Sequence, residues 1–255
     1  MHLQNYSGTE FDLEVNRTIR LLGEEEVRAL GIPSPEKIKM VAFASESSIT
    51  NTGSVPWTKE TGLLSIWILG MFNPSPDTTI VIPFRPGPEE ELGPAVNDTY
   101  FGKVPADRLI VKDGILFFSG DGNCRSKIGI SPRRVKPFAG SYDAARKVLT
   151  IVHLTVHEGV TDFVNSMWEI QENPFGGDVV NSYNDGPSAP GAKPLGPFYE
   201  LESSSPAAAL NSGETLTHVH TTIHAQGEDK ALNEIARTVF GVGIEEIKQA
   251  LKTNK

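Results

Sequence analysis

Apolar and polar residues alternate in segment after segment of this chain, and that period confines it to a fold built mainly from strands. Phe11, Leu13 and Val15 interleave with Glu10, Asp12 and Glu14, the pattern of a strand with one buried face. Segments 38–45, 63–71, 78–84, 108–112, 115–119, 147–157 and 162–171 read as further strands, and 198–224 reads as a hairpin. Between them stand Asn73-Pro74, Asp113-Gly114, Asp121-Gly122 and Asp185-Gly186-Pro187, residues that favour reversal of the chain. Many short strands at this spacing pack as an antiparallel sandwich or barrel. The expectation is an all-β antiparallel sandwich. Helix enters only near the end, where Leu232, Ile235, Ala236 and Val239 fall at i, i+3, i+4 and i+7 and Gly241 follows as a left-handed cap. Residues 244–252 read as a second short helix, so 229–252 is expected to pack on the sandwich.

With 255 residues, 38% of them hydrophobic, the chain can bury a substantial core. No Pro/Gly/Ser-rich linker divides it, and 1–255 is expected to form one domain. A formal net charge of -9 argues against nucleic acid, whose phosphates are bound through clustered Lys and Arg. Arg133, Arg134 and Lys136 make too short a basic run to change this. No apolar run approaches the roughly 20 residues that cross a bilayer, and Met1-His2-Leu3-Gln4-Asn5 has no signal-peptide character. The expectation is a soluble protein without a membrane partner, cytoplasmic, or periplasmic if a longer precursor exists. Cys124 has no second cysteine to pair with and reads as a small buried hydrophobe.

The chemistry concentrates in 198–224. Glu200 and Glu202 are two apart, and His218, His220 and His224 share one parity, so on extended strands each set projects from a single face. Paired in register, such strands bring acids and imidazoles together and can exchange protons near neutral pH. The bland alternative is a solvated sheet face. His218-Val219-His220 also has the spacing of two metal ligands. About 6.6 Å separates His218 from His220, whereas His224 lies about 20 Å from His218. A divalent ion would therefore use His218 and His220 but not His224, and otherwise no cofactor is expected. His153 and His157 share parity on another candidate strand. Arg125 and Lys127 follow a tight turn on one parity and suit a carboxylate or polyhydroxyl ligand. Alternatively, Asp121 pairs with Arg125 on a solvated strand. Of the tryptophans Trp57, Trp67 and Trp168, Trp67 lies in an apolar run and reads as core, while Trp57, between Pro56 and Thr58, is the candidate stacking platform.

The run Leu201-Glu202-Ser203-Ser204-Ser205-Pro206, followed by Leu210 and Gly213-Glu214, resembles the galactose mutarotase (aldose 1-epimerase) superfamily, in particular a branch of uncharacterised bacterial proteins. That resemblance implies a large mutarotase-like β-sandwich, or supersandwich, and makes Glu202 the general base acting on a sugar's anomeric hydroxyl. It also makes Asp185, within Asn181-Ser182-Tyr183-Asn184-Asp185-Gly186, the counterpart of a sugar-binding aspartate. Ile49-Thr50-Asn51 matches a stretch that in mutarotases continues into a histidine, but here Thr52 and Gly53 follow. Simple galactose is accordingly expected to be a poor substrate. Members of the branch are longer, which implies an N-terminal portion beyond this chain. Gly213 with His218, His220 and His224 also resembles the first cupin motif, with no second motif present. The functional expectation is a carbohydrate ligand, with Glu202 and His218 or His220 as base and acid, and with Asp185, Asn184, Arg125, Lys127, Glu200 and Trp57 contacting the sugar. Open beside it are a non-catalytic carbohydrate-binding module and a cupin-like metal enzyme.

Overall fold

The computed structural model describes residues 1–167 and 169–252. Its strands are β1 (His2–Gln4), β2 (Glu10–Leu21), β3 (Lys39–Asn51), β4 (Trp67–Phe72), β5 (Thr78–Pro83), β6 (Leu109–Lys112), β7 (Ile115–Ser119), β8 (Ser126–Ile130), β9 (Phe138–Asp143), β10 (Val148–Leu154), β11 (Val180–Asn184), β12 (Tyr199–Ser204) and β13 (Thr215–Gln226). Short helices are α1 (Glu24–Ala29), α2 (Glu89–Leu92), α3 (Asp229–Phe240) and α4 (Ile244–Gln249). The strands form two antiparallel sheets, one of nine in the order β1-β2-β3-β13-β10-β9-β5-β7-β6 and one of four in the order β4-β12-β11-β8. None of the helices is long and apolar enough to cross a membrane among the described residues.

Alternation decides which layer each side chain enters. On the large sheet Ile80, Ile82, Leu116, Phe118, Val152 and Leu154 face the small sheet, where they meet Ile128, Ile130, Val180, Tyr199 and Leu201. Their neighbours Val81, Ile115, Phe117, Leu149, Ile151 and Ile223 point the other way, under Val27 of α1 and Leu232, Ile235, Val239, Phe240 and Ile247 of α3 and α4. The large sheet is thus covered on both sides where its middle strands run, which is why β5 is buried throughout. The expected C-terminal helices do pack on the sandwich, and Gly241 ends α3 at φ 81°, its amide donating to the Arg237 carbonyl at 3.0 Å. A third cluster, including Phe11, Leu13, Trp57, Ile66 and Leu210, closes one end.

Two expectations about the backbone are corrected. Residues 198–224 are not a hairpin: β12 pairs with β4 and β11, while β13 pairs with β3 and β10 in the other sheet. The connection crosses between layers because Ser205 takes the Ile66 amide on its hydroxyl and gives its own amide to the Ile66 carbonyl, at 2.8 Å each. Ala208 then bridges to Leu64. Nor is 162–171 a strand. Its described residues make one isolated bridge, Phe163 to Gly176, and run as a loop held by that bridge and by the Asn165 amide on the Pro174 carbonyl.

Candidate functional site

The outward face of the small sheet carries a dense polar arrangement. Glu200 and Glu202 project there from β12, whereas Leu201 and Ser203 between them project into the sandwich. The register sets Met71, Glu200, Tyr183 and Lys127 in one row across β4, β12, β11 and β8, and Leu69, Glu202, Asn181 and Gly129 in the next. Lys127 reaches diagonally between rows, and its Nζ donates to Glu202 Oε2 at 2.9 Å. Trp67 Nε1 donates to the same oxygen at 2.8 Å. Glu202 is 1% exposed and Lys127 6%, so this ion pair is largely out of water. Glu202 Oε1 is buried without a partner. At Gly129 a side chain would run into the Asp178 carboxylate.

Beside this pair, Glu200 behaves differently. Burial, and then the negative charge of Glu202, push its carboxyl up to about 7, against the pull of Lys127. Two carboxylates on one face therefore differ in role: one is locked to a lysine and an indole, and the other exchanges its proton at neutral pH. A cleft of about 440 Å³ lies over them, within the range of small-molecule sites. Its walls are Trp67, Leu69 and Met71 of β4, Tyr183, Phe198 and Leu195, with Tyr100, Phe101, Ser166, Met167 and Glu169 from two covering loops, and Arg125, Lys127 and Glu200 supply further polar groups.

The walls are fixed from behind. Tyr100 donates its hydroxyl to Asp178 Oδ2 at 2.6 Å and accepts from Asn181 Nδ2 at 2.9 Å. Burial and the Asp178 carboxylate hold that hydroxyl above the ordinary tyrosine range, and burial pushes the Asp178 carboxyl up in turn. Tyr183 donates to Asp185 Oδ1 at 2.9 Å, and Asp185 Oδ2 accepts the Gly196 amide at 2.7 Å, tying down the loop that carries Leu195. Arg125 lies over the Phe101 ring, 4.0 Å from its centroid.

Of the sequence candidates, Glu200, Arg125 and Lys127 line the cleft, and Glu202 is buried, bonded to the lining residues Trp67 and Lys127. Asp185 is fully buried and works through Tyr183 and Gly196 rather than lining the cleft. The remaining candidates are corrections. Asn184 points away from the cleft, and its amide is used by Gly122 N, the Cys124 carbonyl and Asp121. Trp57 is 5% exposed, packed edge-on against Phe11 in the end cluster, and offers no ring to a ligand. Trp67, which reads as core in sequence, is the tryptophan at the cleft, and Trp168 lies outside the described residues.

His218 and His220 are on the opposite side of β12 from Glu202. Both rings meet one serine: His218 Nε2 and His220 Nδ1 each lie 2.8 Å from Ser203 Oγ. His218 Nδ1, His220 Nε2, His157 Nε2 and Ser47 Oγ are buried without partners. Burial, aided by neighbouring histidines, depresses His218 to about 4 and His220 to about 3, so both are neutral at physiological pH. His224 is bonded to Thr150 Oγ1 at 3.0 Å. Among the described residues no group of three His, Cys, Asp or Glu side chains is placed to hold a metal ion.

Sequence reasoning missed the aromatic walls. Tyr100-Phe101 in a loop was one available signal. The parity of Trp67, Leu69 and Met71 was another, hidden by the apolar residues between them.

Fold and site define an all-β antiparallel sandwich with a carboxylate-and-lysine cleft on its smaller sheet. The model of the Family of unknown function (DUF6786) matches residues 1–251, and the chain belongs to that family. No curated protein matches the sequence. Among solved structures it is similar to an Escherichia coli K12 protein provisionally called an aldose 1-epimerase, at 12% identity and TM-score 0.42 over 85% of this chain and 69% of that one. It is also similar to a Salmonella typhimurium protein provisionally called a mutarotase, at 12% identity and TM-score 0.40 over 89% and 64%, and to the Slr1438 protein of Synechocystis, at 11% and 0.36 over 89% and 73%. The chain thus spans about two thirds of the length of the first two.

Proposed function

We propose that the cleft binds a carbohydrate and that Glu200 transfers a proton at one of its hydroxyls. The observation that carries this reading is the carboxyl pair: a cleft-lining Glu200 whose proton comes and goes near pH 7, next to a Glu202 held by Lys127 and Trp67. A general base works best with its pKa near the operating pH. The aromatic walls suit the C–H faces of a sugar ring, and the likeness of 201–214 to mutarotases points to the same ligand class. In that likeness Glu202 is the base; here Glu202 raises the basicity of Glu200, which faces the ligand.

For an aldose the step is balanced simply. Glu200 takes the anomeric hydroxyl proton and the bond from C1 to the ring oxygen opens as Lys127 gives that oxygen a proton. On reclosure at the other face of C1 the hydroxyl returns its proton to Lys127 and Glu200 returns its own to the former carbonyl oxygen, giving the other anomer. Lys127 has three donors, one of them used by Glu202. The histidines take no part, because the small sheet separates them from the cleft.

The test is anomer interconversion of aldoses and uronic acids, followed by NMR or polarimetry. Wild-type rates should rise with pH through about 7, and Glu200→Gln should lower turnover by about 10²-fold or more while sugar still binds. The second reading, a non-catalytic carbohydrate-binding protein, is favoured by the lack of an imidazole at the cleft among the described residues. Binding without wild-type turnover would establish it.

A further inference from the structure

The cleft's charges do not cancel. Lys127 is neutralised by Glu202, whereas Arg125 has no carboxylate partner among the described residues. The expected pairing with Asp121 does not form, since Asp121 is taken by Arg108 and Asn184. Arg125 is nonetheless held in place. Its guanidinium carbon lies over Phe101, 4.0 Å from the ring centroid, and beside the Tyr183 hydroxyl, which donates to Asp185. A guanidinium has five N–H donors in a planar fork, and Arg125 lines the cleft. In a chain of net charge -9, a fixed cation without a direct carboxylate partner in a ligand cleft is a recognition device.

Resting on the carbohydrate reading above, we propose that the ligand is an acidic sugar, a uronate whose carboxylate pairs with Arg125 while its ring lies over Glu200. A carboxylate matches the planar fork through two parallel hydrogen bonds. It is favoured over a phosphate ester because one free guanidinium balances one negative charge. A phosphate brings about 1.5 to 2 charges, into a cleft that already holds Glu200 and Glu202 and has Glu169 at its exposed rim.

Calorimetric titration with galacturonate against galactose, glucuronate against glucose, and glucose 6-phosphate tests this. In wild type each uronate should bind at least about tenfold tighter than its neutral counterpart, the value of one charge-assisted pair. Arg125→Gln should shrink that ratio to within about twofold, and Arg125→Lys, which keeps the charge but not the fork, should fall between. The lysine variant also keeps the ratio readable if the glutamine variant fails to fold. Equal or tighter binding of neutral sugars, a glucose 6-phosphate that outcompetes both uronates, or an Arg125→Gln variant with an unchanged ratio would overturn the proposal. Neutral sugars binding without a uronate preference would remove the acidic ligand and leave the carbohydrate reading standing, whereas a protein that binds none of them would remove both.

Discussion

The two faces of β12 handle buried polar groups in opposite ways. Outward, Glu202 is ion-paired with Lys127, and Glu200 takes a proton more readily than a free carboxyl. Inward, one residue along, Ser203 receives two imidazoles that have given up their protons. Burial penalises the charged form in both places, yet the outcomes differ because one face supplies a cation and the other supplies only a neutral hydroxyl. Buried carboxylate and ammonium are thus paired on the outward face, whereas the imidazoles between the sheets are neutral.

The largest effect of a substitution at neutral pH should come from Glu202→Gln, which takes from the buried Lys127 ammonium the carboxylate it is bonded to. Chemical denaturation should show a loss of about 3–5 kcal/mol, and adding Lys127→Met should restore much of it. A smaller loss for the single variant would mean that water reaches the pair.

The pH response should carry opposite signs on the two faces. His218 and His220 titrate near 6.5 when unfolded and at about 4 and about 3 when folded. The unfolded chain thus binds more protons in that window. Stability is full above about pH 6.5 and is lost as pH falls toward 3, by about 1.4 kcal/mol for each pKa unit of depression. Glu200 is raised from 4.5 to about 7, so its contribution is full below about pH 4.5 and is lost as pH rises through 7. Thermal melts should show Glu200→Gln flattening the neutral-to-alkaline fall and His220→Asn flattening the acid fall, with neither touching the other limb. A shared limb would mean that the faces are electrostatically coupled.

Smallest is Ser203→Ala, expected to cost about 1–3 kcal/mol for imidazole nitrogens left without their partner, with sugar binding unchanged because Ser203 lies behind the cleft. Altered binding would mean that the inward face communicates with the ligand.

Much of the fold was legible because period-2 alternation survives tertiary packing: β5, β7 and β10 follow it, and α3 ends at Gly241 as its spacing predicts. The site was half legible. Strand parity placed Glu200 with Glu202, and Arg125 with Lys127, since a side chain's face depends only on its own strand. It could not pair β12 with the right neighbour. Whether two successive strands form a hairpin or cross between sheets depends on contacts such as Ser205 with Ile66, which are 139 residues apart. The histidines were therefore assigned to the acids' face when a whole sheet divides them. Trp57 and Trp67 exchanged roles for a related reason: loop or run membership in sequence says nothing about which ring a distant cluster will cover.

Ser203 has one hydroxyl proton and two imidazoles to satisfy. With both rings neutral, one must donate to the oxygen and the other must accept its hydrogen, so their tautomers are not independent. Whichever ring turns a bare nitrogen away from the serine, the other turns away an N–H. The two arrangements differ by a proton on the outer nitrogen of one ring or of the other, which makes His218, Ser203 and His220 a single neutral element with two states of equal hydrogen-bond count.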